Sequence, residues 1–530
     1  MSECQTILAA PVEGYYDDPH DTKNPKGHKR QIWIDELQTA INRAKPGDEV
    51  LLLAGNYYEP VVVNVSGTSG KPICIRAFDE TQPPLLDGRR TPADGRHAGM
   101  EPLDGDFAFF KVIRAKHIVF KNLKLDRCWP SAFFLRSAEH VTIAKCHALR
   151  GRFFVYARQL DDFPTRDILI ERCQWVQDPD FDMWEGRVTW EEVKAWPGYR
   201  DHSHLNGGFF GSYNIEGGLV IRDCDVSHAF NVVRMEVNKT HVTVRRQRPS
   251  IARNKDVAIY RNRFSFIRDN AVEPEKGAQN WYVLENRFYN NHATYSTDLV
   301  AMRDVFIIGN RTLNDRRPGR PGYQEYQGGK IFKFLKKGSD ETPQPRHNFY
   351  SLFNSVQSRT AYSKKGISSQ WFDGYTLLGL YPEQYPEDLS KPRMAFHKMK
   401  WLDGMVVKGM ACTQDGFPDK GNFVDCVGGF DKAFEIKSFN AVPYAPLGGW
   451  DGMLPTSDSV PKVVSERIEI DRAAGSNMIF EAGFGVGAQD MAAFGLSGWP
   501  FEDMAVSKVV IEREKSAVEA TGADWKLHLV

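Results

Sequence analysis

The chain has 530 residues, 26% charged and 12% aromatic, and its 68 Lys plus Arg balance 68 Asp plus Glu to a formal net charge of zero. That balance excludes the basic surplus of a nucleic-acid binder, and no apolar run reaches the roughly 18 residues that a membrane-spanning helix needs. At this length one globular core gives way to several domains, or to a solenoid whose core grows in length at constant cross-section.

The opening MSECQTILAAPVEG lacks the basic and apolar regions of a signal peptide. The expectation is a secreted or periplasmic protein read from its mature start, with a cytoplasmic one as the alternative. The first thirty residues, polar and rich in His, Asp, Lys and Pro, read as irregular. From Ile34, IDELQTAINRA carries helical apolar spacing (Ile34, Leu37, Ile41) and stops at KPGDEV. Three strand-like runs come next, split by Gly, Asn and Pro turns. The helix then caps the open end of this strand array and shields its first strand from edge-to-edge pairing.

Between Asn122 and Asn354 one phrase repeats about every 24 residues, an alternating apolar run closing on Cys or Asn. The runs HIVFKN, HVTIAKC, DILIERC, LVIRDC, VAIYRN, WYVLEN, VFIIGN and NFYSLFN end at Asn122, Cys146, Cys173, Cys224, Asn262, Asn286, Asn310 and Asn354. A near-constant period with occasional long gaps marks a solenoid with loop insertions, and the period-two alternation makes its units strands. The fold class expected is all-β, a parallel β-helix. Cys146, Cys173 and Cys224 share the position held elsewhere by Asn, so they read as small buried side chains stacked in the interior rather than as disulfides or zinc ligands. Two insertions interrupt the repeat, at 178–218 and 315–329. In the first, Thr189 and Glu192 read as a capping box for a short helix. After about 440 the pattern fades into a few terminal strands, such as VSERIEIDR and VSKVVIERE. The organisation expected is 1–50 for the N-terminal segment and cap, 51–440 for the solenoid, and 441–530 for closing strands or a small β appendage.

The segment LQTAINRAKPGDEVLLLAGNYYEPVVVNVSGTSGKPICIRA resembles the opening of the pectate-lyase-like right-handed parallel β-helix superfamily of carbohydrate-active enzymes, nearest its chondroitinase-B-like and alginate-lyase branch. The resemblance implies a capping helix and triangular coils, but not a reaction, because lyases, hydrolases, epimerases and tailspikes share the fold. For that branch it further implies calcium held by acidic residues, beside a lysine base and an arginine on neighbouring coils. DNAVEPEKGAQNWYVLENRF is similar to the branch's acidic strand, and Lys276 falls where its lysine is expected. The arginine does not carry over: TYSTDLV places Asp298 there, leaving Arg234 or Arg303 as substitutes.

Residues two apart on a strand share a face. In NVVRMEVN, Val233, Met235 and Val237 are expected inward, with Arg234 and Glu236 outward. In NAVEPEKG, Val272 is inward, with Glu273 and Glu275 outward. The next coils offer Asp298 and Lys333. Carboxylates on adjacent strands, roughly 4.8 Å apart, are costly unless protonated, paired with Arg234 and Lys276, or bound to a cation, so Glu236, Glu273 and Glu275 are candidate calcium ligands. The alternative is a solvated ladder of ion pairs. His204 and His228 are candidate proton carriers, and His202 and His292 candidate substrate contacts, against a structural hydrogen-bonding role for each. Trp184, Trp190, Trp196 and Tyr199 form either a sugar-stacking wall or the packing of their own loop.

The leading expectation is a polysaccharide lyase that cleaves a uronic-acid-containing glycan by β-elimination, with Lys276 or a histidine as base. The alternative is a glycoside hydrolase using two of Glu236, Glu273, Glu275 and Asp298. C5 epimerisation and glycan binding without turnover complete the set. The partner expected is a polysaccharide or oligosaccharide, with no organic cofactor.

Overall fold

The computed structural model describes residues 5–21, 29–96, 101–159, 163–181, 190–193, 202–244, 249–284, 286–289, 291–296, 301–308 and 310–313, and beyond them the backbone of strands between 330 and 529. Each coil is built from three strands. Lys116–Lys121, Lys124–Asp126 and Ser131–Arg136 make one turn, and each pairs in parallel with its counterpart in the next. Stacking yields three long sheets, of 16, 12 and 10 strands among the described residues. The fold is the parallel β-helix that the repeat predicts. Its interior is one continuous apolar cluster running from Ala9 to Ile331. Aromatic rings stack along it, as between Phe110 and Phe133 (5.3 Å) and between Phe154 and Phe209 (5.0 Å).

Sharp corners between short strands demand left-handed backbone, which costs an L-residue about 1–2 kcal/mol. The chain meets that demand in columns. His117, His140, Asp167, Gly218, Asp256 and Asn280 stack at one position of the first sheet, all at φ between 53° and 66°. Apart from Gly218, these are residue types that tolerate positive φ best.

The Cys/Asn column is as expected in kind. Cys146, Cys173 and Cys224 are free and buried, and the Cys173 thiol donates to the Ile143 carbonyl at 3.4 Å. Below them runs an asparagine ladder: the Asn262 backbone N–H donates to Asn286 Oδ1 (3.0 Å), and that of Asn286 to Asn310 Oδ1 (2.9 Å). One member was misplaced by the alternating pattern. Asn122 stands beside Lys145, each at a left-handed corner position, and Leu123 is the residue that precedes the next strand as Cys146 does. Asn354 lies outside the described residues.

The N-terminal expectations need two corrections. Thr6–Ala10 is a strand paired with Glu49–Leu52, and Gly14–Asp17 pairs antiparallel with Gln31–Glu36, so this polar stretch is not irregular. Ile34 belongs to that last strand, and the helix is Leu37–Arg43, burying Leu37, Ala40 and Ile41. Alternation in QIWIDE outcompetes the helical reading, because the strand is paired on both sides, by Gly14–Asp17 and Thr6–Ala10. In the first insertion a short helix spans Trp190–Val193, and Val193, Leu205, Phe230 and Phe181 pack together; Thr189 lies outside the described residues, as does 315–329. Val464–Asp471, Lys508–Lys515 and Ala523–Leu529 form an antiparallel sheet.

Candidate active site

The third sheet carries the charged strands. Val233, Met235 and Val272 sit in the interior cluster, so Arg234, Glu236, Glu273 and Glu275 face outward, as their alternation predicts. Val237 is buried as well. The register places Arg234 beside Glu273 and Glu236 beside Glu275. Tyr295 stands beside Val272 and enters the core, which puts Ser296 next in the outward column and Lys333 after it. Asp298 and the side chains of Lys333 and Arg303 lie outside the described residues.

Four carboxylates meet two cations here. Arg234 Nε donates to Glu275 Oε1 at 3.0 Å, and its Nη2 lies 3.5 Å from Glu101 Oε1. Lys276, at φ +73°, turns back to bond Glu236. The Arg234 side chain is only 4% exposed, against 25% for Glu275 and Lys276 and 17% for Glu236. Burial opposes the charge on Arg234, yet Glu275, Glu101 and Glu273 outweigh it and hold the guanidinium pKa well above its ordinary value. Arg234 is thus a fixed cation buried among carboxylates. Glu236 moves the other way for a carboxyl: burial, then the charge of Glu275, raise its pKa above the ordinary value, while the bond from Lys276 pulls it partly back and Glu101 adds to the rise. The arrangement separates two neighbouring carboxyls by environment. Glu275 is paired with a buried guanidinium, while burial and its neighbours raise the Glu236 pKa.

An aromatic floor adjoins the charges. In the column of Arg234, the preceding strands place Gly211, Tyr156, Phe134 and Lys111. Phe134 and Tyr156 stack at 6.2 Å, and Phe153 leans on Tyr156 at 4.9 Å. These rings lie over Gly211, where a Cβ would come within 2.5 Å of Phe153 and 2.9 Å of Tyr156; glycine there makes room for the floor. Burial, then the nearby Glu101 carboxylate, lifts the Tyr156 phenol pKa far above its ordinary value, so the hydroxyl stays protonated. Beneath lies Arg152, fully buried, donating from Nε to the Asn206 carbonyl at 2.9 Å, with its pKa pushed down to about 10 by burial.

Sequence reasoning missed Glu101, Arg152 and this floor. The double aromatics of SAFFLR and RFFVYAR were a usable signal, since both cannot point inward at every position. Glu101 had none, because a loop residue's partner is set by tertiary approach.

The histidines have contacts of their own. His202 stacks on Phe181 at 5.0 Å, and His204 lies edge-on to Trp129 at 5.4 Å with its Nε2 3.7 Å from Asp178. His228 belongs to the second sheet, stacked on Phe266 at 4.7 Å, and the backbone N–H of His292 donates to the Ile267 carbonyl. All four sit at corners and in the insertion, off the strand face that bears the charges. Trp184, Trp196 and Tyr199 lie outside the described residues. Among the described residues no three His, Cys, Asp or Glu side chains converge as a metal site. Glu275 and Glu236 are already engaged by Arg234 and Lys276.

No family model matches the chain, and no curated protein is similar to it. Solved structures similar to it are parallel β-helix enzymes. One is the pectate lyase Pel9A, at 12% identity over 77% of this chain and 80% of that one, with TM-score 0.40. A second is a mannuronic acid specific polysaccharide family 6 lyase from human gut microbiota, at 12% over 83% and 89%, TM-score 0.43. A third is the GH136 lacto-N-biosidase from Eubacterium ramulus, at 10% over 80% and 68%, TM-score 0.42. What the site does has to be argued from this chain's own residues.

Proposed function

We propose that the protein is a glycoside hydrolase, with Glu236 as general acid and Glu275 as nucleophile. One observation carries the reading: two carboxyls stand side by side in register, one with its pKa raised and the other paired with Arg234. The Glu236 hydroxyl donates its proton to the glycosidic oxygen as the Glu275 carboxylate attacks the anomeric carbon, and the leaving sugar departs as an alcohol. The Glu236 carboxylate so formed is stabilised by Lys276. It then takes a proton from water, whose oxygen attacks the same carbon and frees Glu275. The two residues are direct neighbours on adjacent strands, and a double displacement through a carboxylate nucleophile restores the starting configuration. The anomeric configuration should therefore be retained.

The β-elimination reading has the nearness of Arg234 and Lys276 in its favour. It is the weaker of the two. A uronate carboxylate would enter beside Glu101, Glu236, Glu273 and Glu275. An uncharged glycan suits the site better.

The test is a panel of neutral and uronic-acid polysaccharides, followed both for new reducing ends and for ultraviolet absorbance of a C4–C5 double bond. Reducing ends without that absorbance, lost in Glu236→Gln and Glu275→Gln, support hydrolysis. Absorbance from the double bond would move the assignment to elimination, and full turnover by both variants would remove these residues from the chemistry.

A further inference from the structure

On a bare solenoid the outward face of a sheet is open along its length, and a polymer lying in it would cross strand after strand. Here part of that path is filled. Phe134, Tyr156 and Phe153 all occupy the outward side of the third sheet, yet they are 2%, 0% and 1% exposed. Residues 101–106 lie along the column that Phe134 and Tyr156 share with Lys111 and Arg234. Lys111 Nζ donates to the Asp104 carbonyl at 3.0 Å, Arg136 pairs with the Asp104 carboxylate, and Arg158 Nη1 donates to the Pro102 carbonyl at 2.7 Å. Glu101 reaches Arg234. A turn closed by Leu103 N–H to Asp106 Oδ2, at 2.7 Å, stiffens the segment. Four cations on four different strands thus pin one short segment lengthwise over the sheet, and it ends where Glu236 and Glu275 begin.

We infer that residues 101–106 are a specificity strap that turns the groove into a blind pocket, so that the site takes a glycan by its chain end and releases small units from it. The inference rests on the glycosidase reading of the same site and adds the mode of attack. A chain running through the site would have to pass over the strands Ala108–Ile113 to Gly208–Tyr213, where the strap already lies. Four ion pairs and charge-assisted hydrogen bonds hold it against displacement. Glu101, whose side chain keeps 17% exposure beside Arg234, then stands at the closed end of the pocket, where it can accept from a hydroxyl of the terminal sugar.

The experiment uses the full chain and a polysaccharide that it degrades, with products sized from the first minutes. Oligosaccharides of the same sugar are supplied in two forms, one carrying an aminobenzamide at the reducing end and one blocked at the non-reducing end. A single small product throughout, and loss of turnover with one cap but not the other, is the expected result. Asp104→Ala combined with Arg136→Ala loosens the strap, and should release longer products early and restore turnover of the blocked form; its melting curve reports whether it is folded. Mixed long oligosaccharides from the unaltered protein at the start, or equal turnover of both capped forms, would overturn the strap while leaving the glycosidase reading intact. No product from any glycan would remove that reading, and the strap's role with it.

Discussion

At the scale of single residues, function turns on where protons rest. Glu236 needs its proton to assist departure, so the rate should fall as pH rises through its pKa, giving an alkaline limb above the ordinary carboxylate range. Lys276 pulls that pKa down and Glu101 pushes it up. Lys276→Met should therefore move the alkaline limb to higher pH and Glu101→Gln to lower pH, in profiles of kcat/KM. Glu236→Gln should cost about 10²–10⁴-fold in kcat. Limbs that stay put in both variants would mean that another group supplies the proton. The sequence showed which four residues share this face because strand alternation is strictly local. It could not show that Arg234 is the buried cation, because its third carboxylate partner, Glu101, arrives from a loop more than a hundred residues away.

At the scale of elements, stability is stored in columns. The side chain of Asn286 accepts from the backbone N–H of Asn262, and its Nδ2 donates to the Ile259 carbonyl and to Asn310 Oδ1, all in the buried interior. Asn286→Ala leaves those partners without bonds where no water can replace them, and a buried unsatisfied group costs about 1–3 kcal/mol. We expect a loss of about 3 kcal/mol or more in denaturant unfolding, with Asn286→Cys intermediate, since a thiol does part of this work at Cys224, where Sγ accepts from the Cys173 N–H at 3.5 Å. An Ala variant as stable as the parent would show the ladder to be decorative. The same columns explain what was legible. Repeat and strand period survive in sequence because every coil must refill the same cross-section. The exact corner residue does not, as Asn122 shows, because one asparagine serves equally in a left-handed corner and in a ladder one residue on.

For the molecule as a whole, one unbroken core implies that interior positions far from either end are reached only when coils separate. Cys146, Cys173 and Cys224 test this directly. They stack mid-solenoid, and burial raises the Cys173 thiol pKa well above its ordinary value, so little reactive thiolate forms there. Cys74 is partly exposed near the cap, though burial still lifts its thiol to about 11. Labelled with a thiol reagent and mapped by mass spectrometry along a denaturant series, Cys74 should modify before these three. The three stacked cysteines should come later and together, in step with the loss of β-sheet circular dichroism. Labelling of any of the three while the circular dichroism is intact would mean that the coils open one at a time, and that the groove face borne on them is less rigid than a site built on in-register carboxyls requires. Joint protection would mean that the spacing between Glu236 and Glu275 is set by the whole stack rather than by their own two strands, since neither strand can shift without disturbing the coils on both sides.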